Sequence, residues 1–212
     1  MVNKNDSPNS PMKKMIFNGK GQVTVNPDQA IIRLGVLTTG DSVTAAQTDN
    51  ARISQQVLDN LKKFGNIDIK TYQYQIEKLY DYENGNRIDR GYSVRNIFEI
   101  HTGNVGQAGV IIDNAVYNGA NIVDLVSFDV AAPDKYYQQA LKLAVNNAYD
   151  KAKAVSTSLK IMFDPVPILI TENSTQPMPF TPMFAAREGA YSTPIESGSK
   201  QIDASVTVEF SY

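Results

Sequence analysis

Asn84-Gly85 stands between two stretches in which apolar and polar residues alternate: Tyr72, Tyr74 and Ile76 before it, Ile88, Tyr92, Val94, Phe98 and Ile100 after it. A two-residue turn with positive φ at both positions suits Asn-Gly, and its twist matches that of paired strands. Residues 68–83 and 86–101 are therefore expected to form one long antiparallel hairpin.

The remaining pattern supplies further strands and the helices to cover them. Ile16, Phe17, Val23 and Val25, interrupted by Gly19 and Gly21, read as a strand with a bend or bulge. Asn26-Pro27-Asp28 reads as a turn, and Ile31, Ile32, Leu34, Val36 and Leu37 as a largely buried second strand. Asp41 or Ser42 caps a helix over 42–64, where Val43, Ala46, Ile53, Val57, Leu61 and Phe64 recur at helical spacing and Gly65 is the expected left-handed stop. A shorter helix through Val110, Ile111, Ala115 and Val116 ends at Gly119, and Ile122 to Val130 follows as a strand. Pro133-Asp134 opens the longest helix, whose apolar stripe is Tyr137, Leu141, Ala144, Ala148, Ala152, Val155 and Leu159. Its small alanines allow close approach to a sheet. A strand near 166–171 and a closing strand, in which Ile202, Ala204, Val206, Val208, Phe210 and Tyr212 alternate with polar residues, complete the order ββαββαβαββ. The expected class is α+β: a mainly antiparallel sheet with packed amphipathic helices. Residues 1–14 read as a disordered tail and 15–212 as a single domain, large enough to bury a core without disulfide or metal.

Composition removes several classes of function. With no Cys there is no thiol chemistry and no thiolate metal site. Twenty basic residues are dispersed among 22 acidic ones, which disfavours nucleic acid as a partner. No apolar run approaches the roughly 18 residues of a membrane span. The polar start, MVNKNDSPNSPMKK, does not read as a signal peptide, so the chain as written is expected in the cytoplasm. The alternative is the cell envelope, should the sequence be a processed or trimmed form.

No motif in the chain assembles into a catalytic set. Gly19-Lys20-Gly21 lacks the third glycine of a phosphate loop, since Thr24 stands there and the pattern continues as a strand. Ser93, in Gly91-Tyr92-Ser93-Val94-Arg95, falls in mid-strand and not at a strand-to-helix turn. His101 is the only histidine, cannot build a histidine metal site, and reads as solvated. Asp81, Glu83 and Asp89 lie beside Arg87 and Arg90 at the hairpin tip and read as solvated charges. No catalytic residue, cofactor-binding residue or metal ligand is expected, and hence no enzyme. Tyr72, Tyr74, Tyr80, Tyr82 and Tyr92 crowd one hairpin; cross-strand packing accounts for them, with protein contact or stacking on a small ligand or glycan as alternatives.

Residues 173–198 differ from the rest. Pro177, Pro179, Pro182 and Pro194 preclude a regular strand or helix, yet Met178, Phe180, Met183, Phe184 and Tyr191 are apolar. Such residues are poorly placed on a monomer's surface, and they are the candidate interaction residues, pointing to a homo-oligomer or a protein partner. The competing reading folds this segment back over its own sheet.

Taken together in order and spacing, these residues resemble the SIMPL (DUF541) family over 15–212. The resemblance rests on Gly19-x-Gly21, Pro27-Asp28, Thr71, Gly91-Tyr92, Gly119-Ala120-Asn121 and Phe128. It continues through the helix bearing Ala140, Ala144, Ala148, Lys151 and Ala152, then Pro194-Ile195, Gly198, Val206, Val208 and Phe210. The resemblance implies a bacterial scaffold without a common catalytic residue. Some members are envelope or periplasmic proteins linked to stress tolerance or known as antigens, and at least one resembles a ring-forming oligomer. The family often carries a basic residue near position 149, where this chain has Tyr149.

Overall fold

The computed structural model describes residues 13–173 and 195–212. Their elements follow the order expected: β1 (Lys14–Val25), β2 (Gln29–Gly40), α1 (Val43–Leu61), β3 (Ile67–Glu83), β4 (Asn86–Thr102), α2 (Ala108–Tyr117), β5 (Ile122–Asp129), α3 (Pro133–Leu159), β6 (Leu169–Glu172) and β7 (Lys200–Ser211). One 3-10 turn, Val105–Gln107, precedes α2. The class is α+β and every strand pairing is antiparallel, but the strands form two sheets instead of one. Residues 1–12 of the expected tail lie outside the described residues, whereas Lys14 already belongs to β1. The chain divides into two compact units.

One unit comprises residues 13–25, 132–173 and 199–212. Its sheet has the order β1-β7-β6, so the first and last strands of the protein are neighbours. They pair without a register shift from Lys14↔Ser211 to Val25↔Lys200. Gly19 and Gly21 therefore mark no bulge. Their reason is α3: a Cβ on Gly19 would land inside the Ala144 carbonyl, and one on Gly21 inside that of Ala140. The helix lies on the sheet through Ala140, Ala144, Ala148, Ala152 and Ser156, one buried residue every fourth position. The predicted stripe is right at its centre and wrong at its end. Val155 and Leu159 are exposed, because the contact follows the four-residue ridge rather than the mixed three-and-four path. Tyr149, near which the family often carries a basic residue, packs its ring 5.8 Å from that of Phe163 and, edge-on, 6.3 Å from that of Phe210.

The other unit comprises residues 26–131 and 195–198. Its sheet has the order β3-β4-β2-β5, and α1 and α2 bury Val57, Leu61, Ile111 and Ala115 with Ala30, Ile32, Leu34 and Ile100. The hairpin is as predicted: Asn84 and Gly85 take φ of 52° and 81°, both left-handed. Ser42 Oγ accepts from Ala45 N at 3.2 Å and caps α1. The left-handed residue after this helix is Asn66, not Gly65. Asn50, 1% exposed, reaches from α1 into the sheet and donates to the carbonyls of Val36 and Val94, both at 2.9 Å. Asn121 uses its amide as a strand would, accepting from Leu37 N at 2.7 Å and donating to Leu37 O at 2.8 Å.

Candidate functional site

The most heavily charged constellation lies across three strands of the β3-β4-β2-β5 sheet. Register places Lys70, Glu99 and Arg33 in one row. Ile32 and Ile100, one residue along their strands, belong to the core beneath the helices, so the charged row faces the other way. Glu99 is the centre of it, with a side chain only 7% exposed. Its Oε2 accepts from Arg33 Nε at 2.7 Å, and its Oε1 from Lys70 Nζ at 2.9 Å and His101 Nε2 at 2.8 Å. With the proton on Nε2, His101 accepts at Nδ1 from Gln29 Nε2 at 3.3 Å. The His101 hydrogen bond, then those of Lys70 and Arg33, outweigh burial and hold the Glu99 carboxyl down at about 2, against an ordinary 4.5. The bond to Glu99 raises Arg33 in turn. Arg33 also lies 3.8 Å over the ring of Tyr72.

This arrangement has a measurable acid signature. The ionised form of Glu99 is favoured by folding, so its contribution is complete above pH 4.5 and lost as pH falls toward 2. The loss is expected to be about 1–2 kcal/mol, less than full linkage would give, because Lys70 is well solvated and screened. Glu99→Gln should flatten the fall in denaturant-unfolding stability across that window. An unchanged slope would remove Glu99 from the account.

The hairpin continues beyond the sheet as a two-stranded arm. Gly91, at φ 83°, lies where β4 parts from β2, and a Cβ there would strike the Gly40 carbonyl. Past this point the hairpin strands pair only with each other, from Tyr80↔Asp89 to Glu83↔Asn86. Arg90 bonds Asp81 at 3.2 Å and Glu83 at 2.7 Å, Lys78 bonds Asp89 at 2.6 Å, and Arg87 lies 3.3 Å over Tyr80. The tip charges thus pair with one another.

The sheet of the first unit has two unlike edges. Along β1 the middle of the edge is engaged by α3: Asn147 Oδ1 accepts from Lys20 N at 3.2 Å, and Lys151 Nζ donates to Asn18 O at 2.7 Å. At the other edge all four residues of β6 are exposed, and Met162, Val166, Ile168, Leu169 and Ile170 expose apolar side chains around it.

The residues singled out from sequence fare unevenly. The tyrosines do not make one platform: Tyr74 OH accepts from Gln47 of α1 at 3.2 Å, while Tyr72 stacks with Arg33 on the opposite face. His101 is not a solvated edge residue; its side chain is 24% exposed and tied to Glu99. Ser93 is buried within β4. Met178, Phe180, Met183, Phe184 and Tyr191 lie outside the described residues. Sequence reasoning missed Arg33, Lys70, Glu99 and Asn50. Glu99 did leave a signal, an acid set between Phe98 and Ile100 in an otherwise apolar run. Among the described residues no three His, Asp or Glu side chains gather to hold a metal ion, and no helix is long and apolar enough to cross a membrane. Both Glu99 oxygens are occupied by donors, which is the reverse of what a general base requires.

The SIMPL family, described as proteins of unknown function (DUF541), matches residues 15–210. The chain belongs to the SIMPL family. A 26 kDa periplasmic immunogenic protein of Brucella melitensis is 30% identical, over 93% of this chain and 84% of its own length. The uncharacterized protein YggE of Escherichia coli is 26% identical, over 97% of this chain and 85% of its own. These relatives correct the cytoplasmic expectation. A SIMPL protein similar over nearly the whole chain is named periplasmic, and the residue at which a sequence starts carries no information about compartment.

Proposed function

We propose that this SIMPL protein is a non-enzymatic assembly module of the cell envelope that associates with copies of itself. The observation that carries the reading is the edge at β6, which among the described residues has no further strand beside it and exposes apolar side chains. An exposed Leu169-Ile170 edge is costly to leave in water and offers a backbone ladder for another strand. Residues 173–198 follow β6 directly in sequence, and Met178, Phe180, Met183, Phe184 and Tyr191 continue its apolar composition. The periplasmic relative supports an envelope location. The non-enzymatic reading is supported by the Glu99 carboxylate, both of whose oxygens are engaged by donors.

Light scattering on the eluting full chain tests this. At about 50 µM the protein should run above monomer mass, a concentration at which interfaces with micromolar Kd are largely occupied. Ile170→Lys, which puts a charge on the edge, should return it to a smaller species with little change in melting temperature. The double change Phe180→Ser, Phe184→Ser should do the same. A monomeric parent, or an Ile170→Lys variant of unchanged mass, would refute association through this edge.

A further inference from the structure

The row across β3, β4 and β2 carries more positive charge than it uses. Arg33 and Lys70 bring two full charges to a single carboxylate whose two oxygens are both engaged. Arg33 reaches Glu99 through Nε alone, and no side chain among the described residues takes its two Nη groups. Lys70 spends one of its three hydrogens on Glu99. Asp124, whose charge also acts on Arg33, is engaged by Arg95 at 2.9 Å. A structural ion pair needs one cation per acid, and burying a second without a counter-charge is unfavourable. Here both are retained: the Arg33 side chain is partly sheltered at 28% exposure, and that of Lys70, at 60%, opens to solvent.

The free groups are also shaped. A guanidinium fixed at Nε presents its paired Nη donors as a planar fork, which matches the two oxygens of a carboxylate or phosphate. Glu99 sets that fork and the Lys70 ammonium in one row, and it does so without using them up. Beside them Tyr72 leaves 48% of its surface exposed, with Arg33 over one face of its ring. Along the same strand Gln73 donates to Gln75 at 2.6 Å and Gln75 to Glu77 at 2.5 Å, so the polar side chains bordering Tyr72 are already ordered. A small free anion would use the fork and leave the ring idle. A ligand joining an oxyanion to a ring with an apolar face uses both.

We propose that this face of the sheet binds an acidic saccharide, its carboxylate on Arg33 Nη and Lys70 Nζ and a sugar ring against Tyr72. Glu99 is a positioning residue in this site, holding the two cations in register. The site is built from the second unit alone and does not depend on self-association.

Isothermal titration of the full chain tests it with three probes: digalacturonate, a neutral galactose disaccharide and inorganic phosphate. Digalacturonate should give saturable binding that weakens with added salt, and the neutral disaccharide none. Lys70→Gln should weaken binding roughly tenfold or more, since one charge-assisted contact is lost. Tyr72→Leu should weaken it roughly fivefold through the lost stacking. Both positions are exposed, and Glu99 keeps Arg33 and His101 in each variant, so unchanged circular dichroism is expected. No heat from digalacturonate up to ~10 mM overturns the proposal at any useful affinity. So does equal binding by the variants. Phosphate bound as tightly as the disaccharide also overturns it, leaving a simple anion site without saccharide recognition.

Discussion

Gly19→Val is expected to lower the melting temperature by roughly 10 °C or to prevent folding. A side chain at this position points from β1 straight at the backbone of α3, where the Ala144 carbonyl and Ala148 Cβ leave no room. A flexible neighbour would swing aside, but a helix backbone moves only as a body. The overpacking therefore lifts α3 from the sheet and opens the seam at Ala140, Ala144, Ala148 and Ala152 together. Overpacking alone costs about 1–3 kcal/mol, and loss of neighbouring contacts takes it to the upper end. At about 2–4 °C per kcal/mol for a chain of this size, that gives the shift stated. Thermal unfolding followed by circular dichroism reads it, with Gly19→Ala between valine and wild type. Valine tolerated within a degree or two would mean that α3 does not lie this close.

Asn50→Leu should cost about 2–4 kcal/mol, although leucine is no smaller and more apolar. Asn50 supplies the hydrogens for two strand carbonyls, Val36 O and Val94 O, at a position closed to water. Its Oδ1 also accepts from Ser54 Oγ at 3.1 Å. Removing the amide takes a donor from each of two buried carbonyls and the acceptor from the Ser54 hydroxyl hydrogen, together costing a few times about 1 kcal/mol, partly offset by the transfer of leucine out of water. Gln56→Leu, on the exposed side of the same helix, is the control and should stay within about 0.5 kcal/mol of wild type. Urea unfolding of the pair decides the matter: equal midpoints would show that the carbonyls find other donors.

Local chemistry made parts of this fold legible. Asn84-Gly85 predicts its own turn because positive φ is a property of those two residues, whatever surrounds them. Ser42 likewise caps α1 by an interaction three residues long. Alternation in β7 tells which side chains face inward, but it cannot say which strand lies alongside. The partner of Phe210 is Met15, almost a whole chain away, and so the division into two sheets was invisible. Glycine in a strand admits two accounts, a bend or a close neighbour, and for Gly19 only the position of α3 chooses between them. The Glu99 cluster was hidden for a related reason. Arg33, Lys70 and Glu99 come from three strands, and ordinary surface composition conceals a row that only register assembles. Asn50 reads in sequence as one more polar residue on an amphipathic helix, because its two acceptors belong to strands.

The unlike edges of the β1-β7-β6 sheet bear on symmetry. A strand pairing that runs from one copy to the next without end needs two receptive edges per copy, one to give and one to take. Here Asn147 and Lys151 of α3 take the Lys20 N–H and the Asn18 carbonyl, two of the β1 backbone groups that a neighbour would use. The contact through this sheet that the proposed association favours is β6 against β6, the same surface on both sides. Such a contact is isologous, related by a two-fold axis, and it closes at a pair. Any larger assembly built on it must add a second and different interface, and would then contain an even number of chains. The helix that packs the core thereby also makes the middle of β1 a poorer docking edge than β6.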